Sequence, residues 1–204
     1  MRIHEAILIA GLLTTANGCG PSGSDSPVPR EKTVDQAGAQ AIFQAHSPSI
    51  SAGDTDAIAA FVDLPARWNR SAAPLVRDYL DPNVPAERWV KEASVHIGEL
   101  RAVQIEMHGL TFAIQDTGIK KTFQEIAVNY RAKLDCVTAL HNAVAQGDEM
   151  AEQHAQQALS EASAEGQKLA QSFLDRLRPY VDPQVLTDEL RKRGKEIGEL
   201  MKPQ

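Results

Sequence analysis

Between Pro85 and Leu177 the chain carries three successive runs in which apolar residues recur every three or four positions, separated by breaks of two or three residues. That rhythm places one side of each run on a single stripe of an α-helix. The first run uses Val90, Ala93, Ile97, Leu100, Val103, Met107, Leu110 and Ile114. The second uses Ile119, Phe123, Ile126, Tyr130, Leu134, Val137, Leu140 and Val144. The third, from Asp148, uses smaller residues: Ala151, Ala155, Leu159, Ala162, Gly166, Leu169, Phe173 and Leu177. Small side chains let helix axes approach closely, so this third helix is expected deep between neighbours. Helices of ~30 residues would each be about 45 Å long. Asp116-Thr117-Gly118 and Gly147-Asp148 break the runs, with Gly available to close one helix and Asp to cap the next. Connections this short force consecutive helices to lie antiparallel.

The flanking segments are more broken. Thr33 and Gln36 form a capping-box pattern for a helix running to His46. Gly53-Asp54 restarts a helix through Ala60 and Val62, and Pro65 and Pro74 are expected to interrupt the stretch to Leu80. Near the C-terminus, Asp182-Pro183 opens a last helix with Leu186, Leu190, Ile197 and Leu200 on its inner side. No alternating Val/Ile/Thr run between turn residues signals a strand. Aromatics are only 5% of the chain while Ala and Gln are plentiful, which also leans toward helix. The expected fold is all-α: an up-and-down antiparallel helical bundle over residues 33–204, with three long helices plus shorter N- and C-terminal helices.

Two segments echo each other. VRDYLDPNV occupies residues 76–84 and LRPYVDPQV occupies residues 177–185. Gly-Asp precedes each copy, and Ile-Gly-Glu-Leu follows each, at Ile97–Leu100 and Ile197–Leu200. One reading is duplication of a three-helix half, 33–115 and 117–202. The other is that Gly-Asp and Asp-Pro are junction words any Ala-rich helical chain repeats. Every shared residue suits a helix corner: Arg77 and Arg178 beside exposed carbonyls, Tyr79 and Tyr180 closing the core with a wet hydroxyl, Asp81 and Asp182 capping the next helix.

Charge and cysteine content narrow the partners. The formal net charge of −6 argues against nucleic acid, which needs a basic face. The basic run Arg191-Lys192-Arg193 is offset by Asp188 and Glu189 four residues upstream, the pattern of a solvated helix face.

The first residues read as a targeting segment. Ala6 to Leu13 is an unbroken run of apolar residues and one Gly, too short for a spanning helix but suited to a secretory segment. It leads into Ala16-Asn17-Gly18-Cys19-Gly20, which resembles the lipobox of bacterial lipoproteins. The resemblance implies a signal peptide over residues 1–18, cleavage before Cys19, and covalent diacylglycerol and an acyl chain on Cys19, with no other cofactor. Several acyl chains make such anchoring stable. In that family Gly20, rather than Asp, permits passage to the outer membrane of a Gram-negative cell, facing the periplasm. Residues 19–32, Gly/Ser/Pro-rich at the start, form a flexible tether with a reach of about 20 Å. Cleavage leaves two cysteines, Cys19 and Cys136. With Cys19 acylated no disulfide framework can form, and Cys136 reads as a small core residue.

Candidate chemistry is sparse. Glu92, His96 and Glu99 share one stripe, and imidazole with carboxylates binds zinc or iron. One helix cannot close such a site, so His141 or His154 would have to join from a facing helix. The alternative is a solvated flank of the apolar seam. Arg67-Trp68 and Arg88-Trp89 pair an indole with a cation, which suits a partner or an anionic membrane surface; the same tryptophans could instead plug the bundle. There is no CxxCH, HExxH, GxSxG or Gly-rich phosphate loop. A Ser/His/Asp set is recognised by geometry, and nothing in the sequence points to one. The expectation is therefore a lipid-anchored cell-envelope bundle acting as a binding or scaffolding module, held at the membrane by its lipid and open to an envelope protein partner. The alternatives are a periplasmic metal or small-ligand binding bundle, and a helical enzyme.

Overall fold

The computed structural model describes residues 52–177. The expected signal peptide, Cys19 and the expected tether, the helix expected from Thr33, the second copy of the twin segment beyond Leu177 and the expected C-terminal helix lie outside the described residues. Within them the chain forms four long helices: α1 (Ala52–Leu80), α2 (Ala86–Ala113), α3 (Thr117–Gln146) and α4 (Glu149–Leu177). Among the described residues there is no strand. The fold is an all-α helical bundle.

The register of contacts shows the antiparallel arrangement. At one end Asp54 of α1 meets the α2–α3 connection, its carboxylate accepting hydrogen bonds from the backbone N–H of Gln115 (2.6 Å) and Asp116 (3.2 Å). Nearby Phe61 of α1 stacks on Phe123 of α3 with ring centroids 3.8 Å apart, and Phe173 of α4 packs 5.2 Å from Phe123. In the middle the Trp68 indole meets Tyr130 edge to face at 4.9 Å. At the far end the Tyr79 hydroxyl of α1 donates to Glu152 and accepts from Gln156 Nε2, both on α4. Consecutive helices pack side by side, and these aromatic and polar bridges tie α1 to α3 and α4.

α1 departs from the sequence expectation: it runs unbroken for 29 residues through Pro65 and Pro74. Each proline removes one backbone N–H and crowds the carbonyl four residues earlier. Tertiary burial offsets this, because Phe61, Leu64, Trp68, Leu75 and Val76 line one face and are almost fully buried. The corners are assigned more closely. Asp116 is the N-cap of α3, its side chain accepting from Ile119 N at 2.8 Å, and Gly147 closes α3 in the left-handed conformation (φ 67°). Asp148 then accepts from Ala151 N at 3.0 Å as α4 begins. Gly118, expected to close a helix, lies inside the first turn of α3; α2 ends at Ile114 in an extended conformation. Asp81 does not cap α2 either: it folds the turn by accepting from Asn83 N at 2.9 Å, and Pro85 holds the N-cap position.

The predicted seams are buried on α2 and α3, except that Val90, Leu110 and Val144 stay half-buried against the core. α4 was expected deep between neighbours, yet most of its described side chains are exposed or half-buried, and among them Ala155 and Leu159 are the buried apolar ones. Its small residues instead bring it close to one neighbour, α3. Asn129 Nδ2 of α3 reaches the Ala162 carbonyl of α4 at 2.7 Å.

Candidate functional site

The two tryptophans are core residues, a correction to the surface reading of the Arg-Trp pairs. Trp68 is 0% exposed and Trp89 2% exposed. Trp89 Nε1 donates to the Leu75 carbonyl at 2.9 Å, so its one polar atom is satisfied inside the bundle. Arg67 and Arg88 turn to the surface, to Glu106 at 2.6 Å and Glu92 at 3.0 Å. Helical geometry separates each pair: adjacent residues lie 100° apart on the helix, so a buried indole sends its neighbour outward.

The Glu92/His96/Glu99 stripe lies on α2, with His96 Nδ1 3.3 Å from Glu99 Oε2 and Glu92 engaged by Arg88. His141 does not join it. That imidazole sits 2.9 Å from the Val90 carbonyl and 3.2 Å from Ser94 Oγ. His154 is exposed on α4. Among the described residues no group of three or more His, Cys, Asp or Glu side chains is gathered to hold a metal ion. Cys136 is half-buried against the core, and burial together with Asp135 pushes its thiol pKa up, away from thiolate chemistry.

Two features were not singled out by sequence reasoning. The first is Lys133, fully buried in α3. Its Nζ has no hydrogen-bond partner and lies 4.9 Å over the Tyr130 ring. Burial pushes its pKa down to about 8. Gly166 of α4 makes room for it: a methyl group there would sit 2.8 Å from Lys133 Nζ and 2.6 Å from Asn129 Oδ1. The sequence signal was present, since Lys133 occupies the heptad position of Ile126 and Leu140, seven residues before and after.

The second is the outer face of α2. Val95, Gly98, Ala102, Ile105, Gly109 and Phe112 follow one another at gaps of three and four, and all six are exposed. Val95 is 64% exposed, Ile105 62% and Phe112 68%, three of the five large apolar side chains on the described surface. Single exposed apolar residues are ordinary, but a heptad-spaced row of them is the pattern of a helix that meets another helix. His108 packs edge to face against Phe112 at 5.2 Å. Glu92, Glu99 and Glu106 flank the row on one side, and Ser94, Arg101 and His108 on the other. The helix thus carries two seams: the recognised one faces the core, and the second faces outward.

Among the described residues no helix is long and apolar enough to cross a membrane. No protein-family model matches the chain. No curated protein and no solved structure matches it either.

Proposed function

We propose that this chain is a lipid-anchored helical bundle of the bacterial cell envelope that works as a binding or scaffolding module, with the outer face of α2 as its contact surface. The observation that carries the reading is the row Val95, Gly98, Ala102, Ile105, Gly109 and Phe112, exposed along ~26 Å of one helix. Leaving Ile105 and Phe112 in water forgoes about 1.5–3 kcal/mol for each, the gain available from burying such a side chain. A partner that covers the row recovers it. The Cys19 lipobox supports the envelope location, and the tether supports a domain held near the bilayer.

The test uses the full chain in its native membranes. Intact mass should show Cys19 as the modified N-terminus, and an unmodified Cys19 with Met1 retained removes the anchoring. Covalent cross-linking in membranes should give complexes that Ile105→Glu/Phe112→Glu abolishes. Complexes that persist unchanged in that variant remove α2 as the contact surface.

A further inference from the structure

The flanks of the exposed row say what covers it. In a parallel two-helix coil, a residue on one flank faces the opposite flank of its partner, five positions further along. On α2 that register sets Arg101 against Glu106 of a second copy, and Ser94 against Glu99 of a second copy, twice each about a two-fold axis. The side chains stand ready for it. Among the described residues Arg101 forms no ion pair. Glu106 is held by Arg67 through Oε2 alone at 2.6 Å, which leaves Oε1 for a second guanidinium. An antiparallel pairing brings like flanks together instead, Glu99 toward Glu106 and Arg101 toward His108. Like charges there oppose that arrangement. Gly98 and Gly109 have nothing within 4 Å of where a Cβ would stand, so a second backbone can approach closely at both. Arg88 and Lys91 occupy the next two heptad positions toward the N-terminus and end the row, which limits the contact to Val95–Phe112.

We infer that α2 is a homodimerisation helix that pairs in parallel with α2 of a second copy through Val95, Ala102, Ile105 and Phe112, with Arg101 to Glu106 fixing the orientation. This rests on the reading of the α2 face as the contact surface and names its partner. A two-fold axis along the helices sets both copies the same way up, so two lipid tethers would reach the same bilayer.

The experiment is sedimentation velocity on the full chain with Cys19→Ser and Cys136→Ser, from about 1 to 200 μM, the range in which a small contact associates. A monomer–dimer equilibrium is expected, at least tenfold weaker in Arg101→Glu and absent in Ile105→Glu/Phe112→Glu, with melting temperatures unchanged at the dilute end of the range, where the chain is monomeric. Val95→Cys added to that chain should form a disulfide with its own copy under mild oxidation. In an antiparallel pair the two Val95 positions would stand about 25 Å apart, and Val95→Cys would couple to Phe112→Cys instead. A monomer throughout the range, dimers that survive Ile105→Glu/Phe112→Glu, or coupling of 95 to 112 overturns the inference. If the chain is monomeric while its envelope cross-links still depend on Ile105 and Phe112, the dimer fails and the binding-module reading stands.

Discussion

Lys133 sets an amine among helix side chains with no carboxylate or carbonyl to receive it, and desolvation lowers its pKa from 10.5 to about 8. Between those values the unfolded chain holds a proton that the folded chain has released, so stability rises with pH across that window. Below pH 8 the folded protein bears the full cost of the buried charge, roughly 3 kcal/mol for a displacement of this size. Lys133→Met removes the charge while keeping the volume. It should stabilise the protein by about 1–3 kcal/mol at pH 7 and flatten the wild-type rise between pH 8 and 10, read by chemical denaturation at each pH. The partner position tests the packing. Gly166→Ala gains about 1 kcal/mol of helix propensity. It also places a methyl group within 3 Å of Asn129 Oδ1 and Lys133 Nζ, so both side-chain ends must shift inside the helix interface. A net loss of about 1–2 kcal/mol is expected. A double-mutant cycle with Asn129→Ala should show non-additivity, whereas additive effects would mean the two sites do not touch.

At the scale of the element, α1 shows how tertiary burial overrides a local signal. Its two prolines argue for a broken segment, yet the apolar face from Phe61 to Val76 is continuous and the helix follows it. Pro74→Ala restores an N–H to the helix and should raise stability by about 1–3 kcal/mol, visible as a higher melting temperature. The same helix closes the opposite corner through Asp54, whose carboxylate takes two backbone N–H groups of the α2–α3 connection. Asp54→Ala leaves both donors without that partner and should cost about 1–3 kcal/mol, with faster amide exchange at Gln115 and Asp116. That bond spans more than sixty positions of chain. Periodicity places Asp54 at a helix start, but only the antiparallel register brings it to the far corner.

For the whole molecule, the question is which faces of the bundle remain unspent. α2 has one seam turned inward and one outward. A chain whose outer seam is covered by a second copy should dissociate when Arg101 is reversed, more readily at low salt, where an ion pair counts for more. Both seams are written in the residues, since the gaps of three and four are read directly. The breaks at Asp116 and Gly147 are legible for the same reason: capping is local chemistry, settled within a turn of chain. The sequence by itself therefore determined the all-α class, the lengths of α2, α3 and α4, and their antiparallel order. Tertiary structure alone decided that the second row of α2 stays uncovered, whether Trp68 and Trp89 point inward, and that Lys133 is enclosed beneath Gly166. The physical reason is range. Helix formation and capping depend on residues within four positions, whereas burial depends on what arrives from another helix, and no spacing along a single helix records that.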